Sequence, residues 1–210
     1  MRAEERQHRI LALARSDGGV DVAKLAADLA VAPETVRRDL RLLEQHGLIR
    51  RTHGIDEGFT PQLIAEALPT DRPLTVVTAS LPTAAVLAAA PSCTVLMLGG
   101  RVRGRTLATV DHWATRMLAG FVLDLAFVGA NGISREHGLT TPDPAVADVK
   151  AQVVQVARRL VFAGVHTKFG ASSFCRFAEV ADLETIITDT ALPATEAHRY
   201  SLLGPHVLRV

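Results

Sequence analysis

Two rhythms of apolar residues divide the chain. Up to about residue 54 the spacing is helical. A first helix, about Arg2 to Ala14, places Ile10, Leu11 and Ala14 on one face. A second, about Val22 to Ala30, does the same with Leu25, Ala26 and Leu29, behind Asp21 as a plausible N-cap. A third runs from Pro33, where a missing N–H costs nothing, to about His46, with Val36, Leu40 and Leu43 in one stripe and Gly47 closing it. From about Pro61 the pattern changes to short, continuously apolar runs alternating with helical stretches. The runs are 74–78, 94–98, 125–128, 160–163 and 185–188; the helices are about 61–68, 82–90, 112–119, 144–158 and 193–203. Runs buried on both faces and separated by helices predict a mainly parallel sheet covered on both sides. The fold class is therefore α/β, with a small helical domain at the front.

Composition changes this picture little. Hydrophobic residues make up 48% and charged residues 21% of the 210 residues, as in an ordinary globular protein. No apolar stretch approaches a membrane span and no secretory signal is evident, so the expected location is cytoplasmic with no membrane partner. Cys93 and Cys175 lie far apart without metal-spaced companions, so neither a metal nor another cofactor is expected. A net charge of +1 argues neither for nor against nucleic acid; what matters is where the charge sits.

In the third helix, turning Val36, Leu40 and Leu43 inward leaves Glu34, Arg38, Arg41 and Gln45 on the opposite face, flanked by Thr35 and Arg37. Recognition helices reach base edges from such a face, and arginine there can bond guanine or grip phosphate. Arg50 and Arg51 follow where a β-wing would meet the DNA backbone. A solvated face of mixed charge is the bland alternative, and Asp39 and Glu44 dilute the patch. The candidate DNA-binding residues are Thr35, Arg37, Arg38, Arg41, Arg50 and Arg51.

Ligands of open α/β sheets bind at the carboxyl ends of the strands. Those ends hold Thr78, the Gly99-Gly100 pair, Asn131-Gly132 and the loop carrying Lys168; small residues there let backbone N–H groups approach an anion. Each signal alone is weak. Gly99-Gly100 reads equally as a turn, Asn131 as a turn former, and Lys150, within a helix, as a solvated charge.

Lys24-Leu-Ala-Ala-Asp-Leu-Ala-Val, Pro33-Glu-Thr-Val-Arg-Arg-Asp-Leu-Arg-Leu-Leu-Glu and Gly47-Leu-Ile-Arg-Arg-Thr-His-Gly resemble the signature of the DeoR family of bacterial regulators. Leu98-Gly-Gly, Asp124-Leu-Ala-Phe-Val-Gly-Ala-Asn-Gly-Ile, Gly138-Leu-Thr-Thr and His166-Thr-Lys-Phe-Gly resemble that family's effector domain. The resemblance implies a winged helix-turn-helix over residues 1–54. It further implies an α/β effector-binding and oligomerisation domain over residues 59–210, similar in fold to ribose-5-phosphate isomerase. The function it implies is a repressor of carbohydrate metabolism genes: a homo-oligomer on double-stranded operator DNA, released by a phosphorylated sugar. The effector-binding candidates are then Gly58, Thr60, Thr78, Gly99, Gly100, Asn131, Gly132, Lys150 and Lys168.

The chain departs from the family pattern. The segment between the wing and the phosphate-cradling loop is shortened, the loop surviving as Gly58-Phe-Thr-Pro61. A strand and a helix are thus expected to be missing, leaving the sheet incomplete at its N-terminal edge. Ala32 stands where a serine-like N-cap is usual, Ala79 where asparagine is, and Val165 where aspartate is. An effector-blind regulator whose second domain only oligomerises is therefore one alternative. A sugar-phosphate isomerase is another, disfavoured because the strand ends supply only Asp189 for acid–base work.

Overall fold

The computed structural model describes residues 3–16, 21–45, 52–69 and 73–210. The chain divides into two compact units, Met1–Arg51 and Thr52–Val210.

The first unit holds α1 (Ala3–Ser16), α2 (Val22–Asp28) and α3 (Pro33–Gln45). Ile10, Leu25, Ala26, Leu29, Val36, Leu40 and Leu43 form its core, the stripes that helical spacing predicts. Asp21 caps α2, its carboxylate accepting from the Lys24 N–H at 2.7 Å. The turn after α2 passes through Ala30 at φ 52°, a left-handed conformation that glycine or asparagine adopts more cheaply. Asp39 does not dilute the exposed charge. It is buried beside Arg6 of α1, which grips it with a two-pronged ion pair, and Gln7 donates to it at 3.3 Å.

The second unit is built on a seven-stranded sheet, all of it parallel. Its strands in chain order are β1 (Thr52–Ile55), β2 (Leu74–Thr78), β3 (Cys93–Met97), β6 (Leu125–Val128), β9 (Leu160–Ala163), β11 (Thr185–Thr188) and β12 (His206–Arg209). Across the sheet they run β12-β11-β9-β6-β1-β2-β3. Helices α4 (Phe59–Glu66), α5 (Leu81–Ala88), α6 (His112–Leu118), α7 (Pro144–Val156) and α8 (Ala194–Ser201) intervene. A hairpin, β4 (Arg101–Arg103) with β5 (Ala108–Val110), and an antiparallel trio, β7 (Gly132–Ser134), β8 (Gly138–Thr141) and β10 (Cys175–Ala178), complete the unit. Leu123, Ala126, Val128, Leu139, Phe162 and Ile186 lie in the main core. Among the described residues no helix is long and apolar enough to cross a membrane.

β1 bears on two expectations. The sheet is not incomplete at an N-terminal edge: Thr52–Ile55 lies inside it, paired with β2 on one side and β6 on the other. Contacts divide the chain after Arg51, three residues before the expected first boundary of 1–54 and ahead of the second domain expected over 59–210. Gly54 makes the fit possible, since a Cβ there would meet Leu123 Cδ1 at 2.7 Å and Ala126 Cβ at 3.3 Å. The helix expected at about 61–68 is α4, directly after the loop Asp56-Glu-Gly58.

Candidate functional site

Two faces carry candidate chemistry, one in each unit. On α3, Arg37, Arg38 and Arg41 are exposed and Thr35 is half-buried. Glu34 bonds Arg37 at 2.8 Å and lies 3.8 Å from Arg41, while Arg41 Nε donates to the Arg37 carbonyl at 3.3 Å. Arg38 has no ion-pair partner among the described residues, and its charge helps to hold the Asp39 carboxyl down. Burial pushes that carboxyl up, but the hydrogen bonds from Arg6 and Gln7 and the nearby positive charge outweigh it, so its pKa lies below the ordinary value. The buried ion pair thus fixes α1 against α3 and leaves a rigid, guanidinium-lined outer face. Arg50 and Arg51 lie outside the described residues.

In the second unit the carboxyl ends of the central strands β1, β6 and β9 meet the start of α4 and the middle of α7. Lys150, on α7, is buried, contrary to its reading as a solvated charge. Its ammonium pairs with Asp56, at the end of β1, and donates to the Gly129 carbonyl at 3.0 Å. Asp56 also accepts from the Gly129 N–H at 3.0 Å, and the ammonium sits 5.5 Å from the centre of the Phe177 ring. β1, β6 and α7 are thereby tied at one point. Gly58 follows at φ 117°, exposed, and starts α4; Thr60 lies in the first helical turn. Two amide N–H groups there, of Phe59 and Thr60, precede Pro61, which has none.

The other candidates separate by surroundings. Thr78 is buried, donating to the Ile55 carbonyl at 2.7 Å and accepting from the Ser80 N–H, so it laces β2 to β1. Gly99 and Gly100 end β3 at the rim of the sheet; a Cβ on Gly100, at φ 138°, would meet the Val110 carbonyl at 2.6 Å. Gly132 is buried in β7 under the Ala171 backbone. Asn131 is exposed, accepting from the Thr141 hydroxyl at 3.2 Å. Lys168 closes a single helical turn, His166–Lys168, beyond β9. In that turn His166 is pinned to Asp189 through its N–H at 2.7 Å and its ring Nδ1 at 2.8 Å. The bonds donated by the His166 N–H and then the Ala191 N–H hold the Asp189 carboxyl below the usual range.

Comparison with known proteins settles the lineage. Residues 6–56 match the profile of the DeoR-like helix-turn-helix domain, and residues 50–190 that of the DeoR C terminal sensor domain. The chain belongs to the DeoR family. It is thus a transcriptional regulator by descent, and the two DeoR profiles overlap at residues 50–56, on the strand that the sheet has taken in. The HTH-type transcriptional regulator GlpR of Haloferax volcanii is 29% identical over 247 aligned positions, 97% of this chain and 96% of that protein. The glycerol-3-phosphate regulon repressor of Escherichia coli is 23% identical, covering 93% and 94% of the two chains. Ribose 5 phosphate isomerase A from Neisseria gonorrhoeae superposes with a TM-score of 0.40 at 15% identity, over 63% of this chain and 51% of its own.

Asp56 is the residue that sequence reasoning missed. Thr52-His-Gly-Ile was assigned to a wing, so the carboxylate behind it did not register as the end of a strand. Four extended residues followed by Asp-x-Gly and a helical stretch were the available signal.

Proposed function

We propose that the chain represses carbohydrate metabolism genes by seating α3 in the major groove of operator DNA, and that a phosphorylated sugar at the strand ends of the second unit releases it. The observation that carries the proposal is an exposed arginine face on α3 in a chain of the DeoR family. Arg38, free of ion pairs among the described residues, is the base-reading candidate, while Arg37 and Arg41, gathered by Glu34, suit phosphates. Gly58, Thr60, Gly99, Gly100, Asn131 and Lys168 are the exposed or half-buried candidates from which an effector site would be drawn. Thr78 and Gly132 would act by shaping the backbone around it. The repressor names of relatives, the glycerol-3-phosphate regulon repressor and the putative aga operon transcriptional repressor, support a role in carbon metabolism. Exposed Phe59, Trp113, Phe174 and Val210 support subunit contacts, and so a homo-oligomer.

The test is a thermal-shift screen of the full chain against sugar phosphates, followed by operator release measured by fluorescence anisotropy. A ligand at a hundred times its dissociation constant adds about 2.7 kcal/mol, a rise of several degrees for a chain of this size. A compound that raises the melting temperature and also releases DNA is the expected result. A flat panel with operator binding retained would favour the effector-blind reading. That reading has one observation on its side: Lys150 is already neutralised by Asp56, and the space beside the pair is small. An isomerase is disfavoured because Asp56, the carboxylate at the end of β1, is held in an ion pair instead of facing a substrate.

A further inference from the structure

The loop after β1 carries two successive carboxylates with opposite fates. Asp56 is closed off by Lys150 and the Gly129 N–H. Glu57, next in the chain, has one oxygen, Oε2, that is buried and without any hydrogen-bond partner. Glu57, Asp56 and Lys150 line a cavity of about 10 Å³, the least that holds one water-sized group, walled otherwise by Thr109 and small apolar side chains.

The hydrogen bonds that the side-chain donors around this cavity make go to other groups than Glu57. The Lys150 ammonium serves Asp56 and the Gly129 carbonyl, and the Thr109 hydroxyl faces the carbonyls of Leu98 and Ala79 at 2.8 and 3.3 Å. A buried acceptor without a donor is costly and calls for one from outside. Two carboxylates against one ammonium leave the cavity with a net negative charge, which repels a phosphate and welcomes a hydroxyl. A single hydroxyl also matches its size.

We infer that Glu57 recognises a hydroxyl group of the effector, so that the effector is a polyhydroxylated phosphate whose hydroxyl end enters this cavity and whose anionic end stays outside it. The inference rests on the sensing role proposed above. It assigns the selectivity among phosphorylated compounds to a carboxylate.

Titration calorimetry on the full chain and on Glu57→Gln, with glycerol 3-phosphate, ribose 5-phosphate, fructose 6-phosphate, glucose 6-phosphate and inorganic phosphate, tests it. At least one of the four organic phosphates binds the unaltered chain more tightly than inorganic phosphate does. Glu57→Gln weakens that compound about tenfold, the scale of one lost charge-assisted hydrogen bond, and leaves inorganic phosphate within about twofold. Without ligand, Glu57→Gln melts no lower than the unaltered chain, because Oε2 makes no hydrogen bond within the fold. Equal affinity of both proteins for the organic phosphate overturns the assignment and leaves the sensing role standing. An equal loss for inorganic phosphate, or a lower melting temperature without ligand, also overturns it, since Oε2 would then serve the loop itself. No binding by any of the five overturns the sensing role and the assignment together. If Glu57→Gln fails to fold, Glu57→Asp, which keeps the charge and withdraws it by one methylene, should show the same selective weakening, and unchanged affinities there overturn the assignment.

Discussion

Among the described residues each unit buries one ion pair, and the two pairs do different work. Arg6–Asp39 lies between two helices whose outer surfaces remain free, so its rigidity passes to an exposed face of arginines. Asp56–Lys150 lies at the centre of the strand ends, where a ligand would be expected, and joins β1, β6 and α7. The first pair supports a reading surface from behind. The second occupies the place that a reading surface would need. A charge held for structure beneath a functional face costs that face nothing, whereas one held within it subtracts from the chemistry on offer.

Breaking the pairs separates these roles. Lys150→Met strands the Asp56 carboxylate among β1, β6 and α7 and should cost about 3–5 kcal/mol, read as a lowered midpoint in urea. Asp39→Ala strands Arg6 instead, whose long side chain can swing its guanidinium toward water. About 2–3 kcal/mol is expected, confined to the first unit and visible in hydrogen exchange of α1 and α3. Asp39 also gives that unit a pH signature. Its pKa is depressed in the fold, so its contribution is full at neutral pH and above the ordinary carboxylate value. The contribution is lost as pH falls through the depressed value, and α1–α3 protection should decay in that window. Arg38→Ala should leave stability alone, cost about 1–3 kcal/mol in operator affinity and flatten the difference between operator and random DNA. A uniform loss on all sequences would reduce Arg38 to a phosphate contact. Smallest of all, Ala30→Gly should relieve the left-handed turn and raise stability by about 1 kcal/mol in thermal unfolding.

The two regions also differed in how much of them could be read from the chain. In the first, burial follows helical spacing closely enough that Val36, Leu40 and Leu43 declared themselves, and Asp21 was recognisable as a cap. Asp39 did not, although it stands three residues after Val36 on the same stripe; its polar identity hid its position. In the second, the long apolar runs became strands where expected. β4, β5, β7, β8 and β10 escaped because, unlike the equally short β6, β9 and β11, they carry no continuous run of large apolar residues, and their pairing is antiparallel and set by neighbouring strands. β12 escaped because its sequence, His-Val-Leu-Arg at an edge of the sheet, carries no continuous apolar run. Lys150 was ambiguous for a deeper reason. A lysine on a helix looks solvated until its partner is found, and Asp56 lies 94 residues earlier.

The placement of β1 sets a mechanical limit. Seven peptide links join Gln45, the last residue of α3, to Thr52, a length of at most about 25 Å. α3 is therefore joined by only a few residues to a strand in the interior of a sheet. In an oligomer the reach of each head would be measured from its own anchor, so the operator should act as a ruler. Half-sites moved apart by a full helical turn, about 34 Å, would ask each head to shift by about 17 Å, most of the length of its connection.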